Sequence, residues 1–228
     1  MLPFMFVGAI PSDRFVLDKK GRFEYYGREK FRDLYEAVKS MRFQGTRKYF
    51  LHRTHSAGKS YILAALTCLL FVEGVKIVYL PDCPEMLCDS FRYLQSALCL
   101  TFTGTGQHYE QSLSSAESTE DLISFCGARS TESIRLVFII DQINALDPKD
   151  EKSDRFPLDI KRSVRALLDT AISSHMKLSS SSGNYLHALH DIYRQTGEER
   201  LSLYGGLTEV HIILCPFHMK LFTQEMAM

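Results

Sequence analysis

A short apolar run, followed at once by a polar loop and a long apolar segment, constrains the fold of this chain more than any other feature. The run is KYFLH at residues 48–52, the loop ends in Gly58-Lys59-Ser60, and the apolar segment continues to about residue 73. The first run has the length and aromatic content of a strand. The later segment is apolar on all sides, which is typical of a helix buried against a sheet. A strand, a loop and a buried helix are therefore predicted in this order.

The loop at residues 53–60 reads Arg-Thr-His-Ser-Ala-Gly-Lys-Ser and matches the phosphate-binding pattern G-x-x-x-x-G-K-S/T except at its first position. Backbone N–H groups in such a loop converge on phosphate oxygens at a helix N-terminus. Gly58 allows close approach, Lys59 brings positive charge to the β- and γ-phosphates, and the Ser60 hydroxyl is a ligand for Mg²⁺. The alternative is an ordinary strand-to-helix turn with a capping serine. The predicted nucleotide-binding residues are Thr54, His55, Ser56, Ala57, Gly58, Lys59 and Ser60.

Arg53 stands where the phosphate-binding pattern has its first glycine. If this position needs a left-handed backbone, a residue with a Cβ atom costs about 1–2 kcal/mol. The loop is therefore expected to take a variant shape. Arg53, or His52 and His55, could add positive charge near the phosphates, although solvated loop positions are favoured for both histidines.

The clearest strand in the sequence ends in an acidic residue. RLVFIID at residues 135–141 is continuous and rich in β-branched residues, as in a central strand covered on both faces. Asp141 is predicted to hold Mg²⁺ and its water shell, with a turn-capping role as the alternative. Gln142 follows where many such ATPases have a glutamate, and an amide orients water but is a poor base. We predict Asp141 and Gln142 as catalytic residues of a slow enzyme, with Asp147 as a loop residue rather than a substitute acid.

Two further groups of polar residues are weaker candidates. Ser179–Ser182 and Asn184 lie where a residue on the next strand would contact the γ-phosphate, although a flexible serine turn fits equally well. Arg194 and Arg200 are candidate charge-sensing residues, but helix-surface roles are favoured for both.

Strands and helices alternate along the rest of the chain, and this pattern predicts a parallel sheet with helical crossovers. The expected fold is α/β, a three-layer P-loop NTPase fold with a mainly parallel central sheet, in which ligands bind at the carboxyl ends of strands.

The Gly- and Ser-rich residues 103–120 are expected to form a flexible loop. Further predicted strands are 76–82, 175–181 and 210–216, and predicted helices are 29–41, 84–102, 119–126 (capped by Thr119), 160–172 and 185–195. The predicted domains are an N-terminal arm at 1–28, a P-loop NTPase domain at 29–215 and a C-terminal tail at 216–228.

Composition limits the expected partners. Lys plus Arg number 27, and so do Asp plus Glu, which gives no strong nucleic-acid signal and no charge-based reason to expect a membrane. The longest apolar run, Tyr61–Val72, is shorter than the roughly 20 residues of a membrane-spanning helix. Six cysteines without a C-x-x-C pair indicate reduced thiols in an intracellular protein of the cytoplasm or nucleus. A nucleotide is the expected partner, a protein partner stays unidentified, and the oligomeric state is open.

Four stretches together resemble a known family. They are YFLHRTHSAGKSYILAALTCLL, KIVYLPD, LVFIIDQINALD and ALHDIYRQTGEERLSLYGGLTE. This combination resembles the P-loop ATPase module of Crinkler-type proteins, which occur in filamentous microbes and are related to AAA-like and STAND ATPases. The resemblance covers about residues 25–210. It implies ATP with Mg²⁺, motif positions for Lys59, Ser60 and Asp141, the Asp-Gln pair as the usual arrangement, and a role as an effector, with secretion to a host, or in conflict between genomes.

The chain departs from this family at Arg53 and at its C-terminal end. VHIILCPFHMKLFTQEMAM does not look like the segment that continues the relatives, and an N-terminal targeting header is missing. These departures lead us to expect a truncated or decayed member of the family.

Different functions fit these features. The first is an ATPase-type module that binds Mg-ATP and hydrolyses it slowly. The second is a non-hydrolysing nucleotide sensor or interaction scaffold that uses the same site as a switch. A third, a small-molecule phosphotransferase, would need an arginine-rich lid over the phosphates, and the sequence shows no convincing one.

Overall fold

The structure, a computed structural model, describes most of the chain in ranges separated by gaps, and eight strands and seven α-helices lie within these ranges. The described residues are 2–4, 6–7, 15, 18–19, 23–28, 30–41, 48–52, 58–147, 155–181, 199–202 and 207–216. The strands are β1 (Leu2–Phe4), β2 (Phe23–Arg28), β3 (Lys48–His52), β4 (Lys76–Leu80), β5 (Leu136–Ile140), β6 (Met176–Ser180), β7 (Glu199–Ser202) and β8 (Leu207–Pro216). The helices are α1 (Lys30–Ser40), α2 (Lys59–Val72), α3 (Cys83–Met86), α4 (Ser90–Phe102), α5 (Gln107–Ser114), α6 (Thr119–Thr131) and α7 (Leu158–Ile172), with a short 3-10 helix at Ile143–Leu146.

The main sheet has five strands in the order β4-β5-β6-β3-β7, and every neighbouring pair runs parallel. Strand β3 therefore lies inside the sheet, with β6 on one side and β7 on the other. Strand β5 is buried along its whole length, which explains its continuous run of apolar residues.

Alternate residues of the strands build a separate core on each face of the sheet. Leu51, Ile139 and Leu178 pack with helices α1 and α2 on one face. Phe50 and Phe138 pack with helices α3 to α7 on the other face. Since side chains two residues apart share a face of a strand, β3, β4 and β5 each contribute to both cores. The predicted α/β class is confirmed, and its three layers and parallel sheet have the arrangement of the P-loop NTPase fold.

Helix α2 is covered on both sides, as its all-round apolar sequence predicts. Its residues from Ile62 to Cys68 are buried, and beyond it lies a second sheet in the order β1-β8-β2. Strands β1, β2 and β8 all contact α2. Two of these strands come from the predicted N-terminal arm, residues 1–28, and they pair with β8. The predicted domain boundaries themselves stay a prediction.

The predicted flexible loop at 103–120 is wrong, because helix α5 occupies its middle. Leu113 of α5 is fully buried, and the Tyr109 ring lies 4.8 Å from that of Phe102. The Gln95 side chain donates to the Leu113 carbonyl at 2.8 Å and so caps the end of α5. A few apolar residues of this segment make tertiary contacts, and these contacts stabilise helix α5 despite the polar composition of residues 103–120.

Two predicted helices have different ends in the structure. The single helix expected at 84–102 is two helices, because Asp89 accepts from the Arg92 N–H at 3.0 Å and caps the start of α4. The helix expected at 119–126 extends to Thr131 and is capped by Ser118 rather than Thr119. Ser118 and Asp121 form a reciprocal capping box. The helix predicted at 185–195 lies outside the described residues.

A buried histidine lies in the turn between α7 and β6. His175 is 1% exposed, and its Nε2 lies 2.9 Å from the Cys126 carbonyl oxygen, the arrangement of a donor N–H on the neutral ring. Burial lowers the pKa of His175, and the hydrogen bond to Cys126 opposes this only in part. The folded protein therefore keeps this ring neutral under conditions in which the unfolded chain takes up a proton.

We predict that His175 makes the fold sensitive to mild acid. The unfolded chain binds a proton below about pH 6.5 while the folded state does not, so the free energy of unfolding falls as pH drops below that value. The loss is complete once pH is below the lowered pKa of the folded state. Urea denaturation between pH 7.5 and 5 should show a smaller loss for His175→Gln than for the wild type. His108→Gln, at an exposed position, should retain the wild-type loss, and an equal loss in all three proteins would contradict the prediction.

Candidate functional site

Parallel strands bring the candidate residues to one edge of the main sheet. β3, β5 and β6 run in the same direction, so their carboxyl ends meet there. Helix α2 follows β3 through the predicted phosphate loop and so begins at this edge. Asp141 follows β5 directly, and its N–H donates to the Leu80 carbonyl at 2.9 Å, which extends the β4–β5 pairing. This is the edge at which open α/β sheets bind ligands.

Asp141 and Ser180 meet between neighbouring strands. The register pairs Ile140 with Ser179 and Leu51 with Ser180, so Ser180 lies between β3 and Asp141. The Ser180 hydroxyl donates a hydrogen bond to Asp141 Oδ1, and both side chains are buried. Ser180 therefore fixes the orientation of the carboxylate at the edge of the sheet.

The same two side chains face the layer that contains helix α2. Ile139 and Leu178, two residues before Asp141 and Ser180, belong to the core around α2. Because side chains two residues apart share a face, Asp141 and Ser180 lie on that face too. The start of α2 and the acid after β5 thus share both an edge and a face of the sheet.

Gln142 has a left-handed backbone, with φ 58° and ψ 37°. This conformation costs a non-glycine residue about 1–2 kcal/mol and persists only where its surroundings enforce it. The Gln142 N–H donates to Asp141 Oδ1 at 2.9 Å, so one carboxylate oxygen accepts from both Ser180 and Gln142. The strained residue is therefore part of the arrangement that orients Asp141.

The start of α2 has the chemistry of an anion site. Gly58 is its N-cap residue, with φ 73° in the left-handed region, where glycine pays no steric cost. Lys59 follows and is only 5% exposed, Ser60 is half-buried, and the first turn has no acidic residue. The lysine charge adds to the positive end of the helix dipole, and both favour a bound anion. Because Asp141 lies at the same edge and face of the sheet, these groups together have the chemistry to bind a phosphate group with Mg²⁺.

The thiol of Cys83 is affected by charged residues around the site. It is fully buried at the start of α3. Burial, and then the negative charges of Asp141 and Asp82, raises the pKa of this thiol far above its ordinary value, while Arg165 and Lys177 oppose the rise. A thiol held protonated is a poor nucleophile. Cys83 is therefore a packing residue.

Asp147 ends the 3-10 helix after Asp141, and its carboxylate is already engaged. Arg165 Nη2 donates to Asp147 Oδ1 at 2.6 Å, and the Lys161 ammonium group donates to the Asp147 carbonyl at 3.1 Å. The sequence did not single out these two basic residues. A signal was present, because Lys161 falls on the same helical stripe as Val164 and Leu168.

Several predicted site residues lie outside the described residues, and others are placed without a known role. Ser179 and Ser181 are buried, and Arg200 lies in β7. Those outside the described ranges are Arg53, Thr54, His55, Ser56, Ala57, Ser182, Asn184 and Arg194.

Two features are absent from the part of the chain that the structure describes: a cluster of metal-binding side chains and a helix that could span a membrane. That part of the chain holds no group of three or more His, Cys, Asp or Glu side chains that could bind a metal. A nucleotide-bound Mg²⁺ needs only one or two protein carboxylates, so this finding does not bear on the predicted site. Within the same ranges, no helix combines the length and apolar character needed to cross a membrane.

No protein-family model and no curated protein sequence matches the chain. Similar solved structures include Drosophila ORC bound to poly(dA/dT) DNA and Cdc6, with a TM-score of 0.43 and 12% identity over 78% of this chain and 28% of that chain. Drosophila ORC bound to GC-rich DNA and Cdc6 gives a TM-score of 0.41 and 11% identity over 78% and 29% of the two chains. The chain thus spans less than a third of either structure's length. Likeness this weak carries no functional conclusion, and the fold class rests on the chain's own strands and helices.

Ser180→Ala should destabilise the protein. The substitution removes a hydrogen bond to a buried carboxylate, for which about 1–3 kcal/mol of unfolding free energy is expected. Urea denaturation at pH 7.5 measures the change. Ser114→Ala, at an exposed position of α5, is the control and should stay within about 0.5 kcal/mol of the wild type. Equal stability of the two variants would show that Ser180 does not hold Asp141.

Proposed function

We propose that the chain is a P-loop module that binds Mg-ATP and hydrolyses it slowly. The observation that carries this proposal is that the start of α2 and Asp141 share one edge and one face of the sheet. A phosphate loop before a buried helix and an acid after a separate strand are the two parts that nucleotide hydrolysis on this fold requires. The buried helix α2 that begins at Lys59 and the acid after β5 support this proposal, and Ser180 lies between β3 and Asp141.

Each residue of the proposed site has a definite task. Gly58 and the N-terminal N–H groups of α2 would bind phosphate oxygens, and Lys59 would place its ammonium group on the β- and γ-phosphates. Ser60 and Asp141 would hold Mg²⁺, which offsets the negative charge of the phosphates when bound. Gln142 would orient a water molecule towards the γ-phosphate.

The proposed reaction is slow because the described residues of the site include no suitable general base. Gln142 has a neutral amide, which can orient a water molecule but accepts its proton poorly. Asp147 is the next acid along the chain, but its carboxylate already pairs with Arg165 at 2.6 Å. Water would therefore attack with positioning and charge stabilisation alone, as in small GTPases that use a glutamine.

The second function that this site supports is a nucleotide sensor that does not hydrolyse ATP. The lack of a general base among the described residues also favours this sensor. A nucleotide that is not hydrolysed would stay bound and hold the protein in one conformation. On the quoted motifs we also propose that the module is of the Crinkler type and belongs to an effector or conflict protein. The buried thiols of Cys68, Cys83 and Cys126 support an intracellular setting for this proposal.

Lys59→Ala should abolish or strongly weaken ATP binding. The variant loses the charge at the helix start, and we expect a rise in Kd of at least about tenfold, or 1.4 kcal/mol. Isothermal titration calorimetry with ATP, with and without Mg²⁺, measures this directly. Arg92→Ala removes a positive charge from an exposed position and should bind ATP as the wild type does. Unchanged ATP binding by Lys59→Ala would contradict the proposed site.

Phosphate release separates the two functions. If the chain is an ATPase, Asp141→Ala should lose turnover, because Mg²⁺ and the attacking water would no longer be held in place. Ser114→Ala serves as the control and should release phosphate at the wild-type rate. Tight ATP binding without any turnover in the wild type would select the sensor instead.

A further inference from the structure

Two basic side chains of helix α7 hold the far end of the segment that follows Asp141. The Lys161 ammonium group donates to the Asp147 carbonyl at 3.1 Å, and Arg165 Nη2 donates to Asp147 Oδ1 at 2.6 Å. The two side chains are four residues apart and so lie on one face of the helix. Asp147 is thus held through its main chain and its side chain by a single helix.

The burial of this contact indicates a geometric role. Lys161 is 2% exposed, and the side chains of Arg165 and Asp147 are 27% and 13% exposed. Well-packed apolar residues in place of buried charged groups are often neutral or stabilising, so stability alone does not account for such a contact. Lys161 lies on a stripe with Val164 and Leu168, where an apolar side chain would fit. What the lysine and arginine add is a fixed position for Asp147.

The other end of the segment is held by the same stretch of chain. Helix α7 leads through a short turn into β6, and Ser180 at the end of β6 donates to Asp141. Residues 141–147 are therefore anchored at Asp141 by Ser180 and at Asp147 by α7. Between the anchors lie Gln142, in its left-handed conformation, and the buried 3-10 helix. A left-handed non-glycine residue needs such surroundings to persist.

We propose that Arg165, supported by Lys161, is a positioning residue for the nucleotide site. By fixing Asp147, it keeps Gln142 in the left-handed conformation from which its N–H reaches Asp141 and its side chain reaches the attacking water. Arg165 does not touch the nucleotide in this arrangement. The inference rests on the proposed function, since it concerns how that site is held.

Arg165→Gln tests the proposal in the full chain. We expect ATP affinity without Mg²⁺ to stay at the wild-type value, because Gly58 and Lys59 are unaffected. The gain in affinity on adding Mg²⁺ should shrink, and phosphate release at saturating ATP should fall about 10- to 100-fold, as expected when catalytic groups are misplaced. Arg165→Lys can still donate to Asp147, so it should keep part of the Mg²⁺ gain and part of the phosphate release. Arg162→Gln, one turn away at an exposed position, should behave as the wild type.

The outcomes distinguish this inference from the function on which it rests. Wild-type protein that binds no ATP would overturn the proposed function, and this inference with it. Wild-type protein that shows the Mg²⁺ gain, together with Arg165→Gln that shows the same gain and the same turnover, would overturn the positioning role alone. If the wild type binds ATP but releases no phosphate, the proposal is tested by the gain in ATP affinity with Mg²⁺ alone, compared between the wild type and Arg165→Gln. Should Arg165→Gln fail to fold, Asp147→Asn weakens the same contact, and wild-type values for that folded variant would equally contradict the proposal.

Discussion

Helix α2 has no polar face, and the rest of the architecture follows from the need to cover it. A helix that is apolar all round must be shielded from water on every side. The main sheet and α1 cover part of it, and the small sheet of β1, β8 and β2 covers the remainder. Its first turn is different, because Lys59 lies there at the carboxyl edge of the main sheet. Burying the body of the helix therefore fixes the place of the charge at its start.

Much of this layout could be predicted from local sequence. The strand at 48–52 and the helix starting at Lys59 have the expected bounds, because their patterns of apolar residues end abruptly. Strand β5 was predicted for the same reason, and its burial on both faces accounts for its unbroken apolar run. In both cases, burial alone selects the residue types, so the sequence is sufficient.

Other features depend on contacts between distant residues and left little local signal. Helix α5 has few apolar residues and is fixed by Gln95 and Phe102 of α4. The order of the strands, which puts Ser180 beside Asp141, is a property of the sheet and not of either segment. The predicted serine group included Ser180, but its neighbour could not be known. Lys161 stands out locally on an apolar stripe, but the partner of Lys161 and Arg165, Asp147, lies in a different segment of the chain and could not be predicted.

The small sheet has a consequence for how the chain folds as it is made. Leu2 of β1 pairs with Leu214 of β8, so this contact joins residues more than two hundred positions apart. During synthesis, β1, β2 and α2 emerge from the ribosome long before β8 exists to join them. The side of α2 that faces the small sheet therefore lacks the cover of β8 until β8 has been made. Long-range closure of this kind is slow, and apolar surface exposed in the meantime attracts chaperones and aggregates. The nascent chain is thus prone to aggregation through this surface until β8 pairs with β1 and β2.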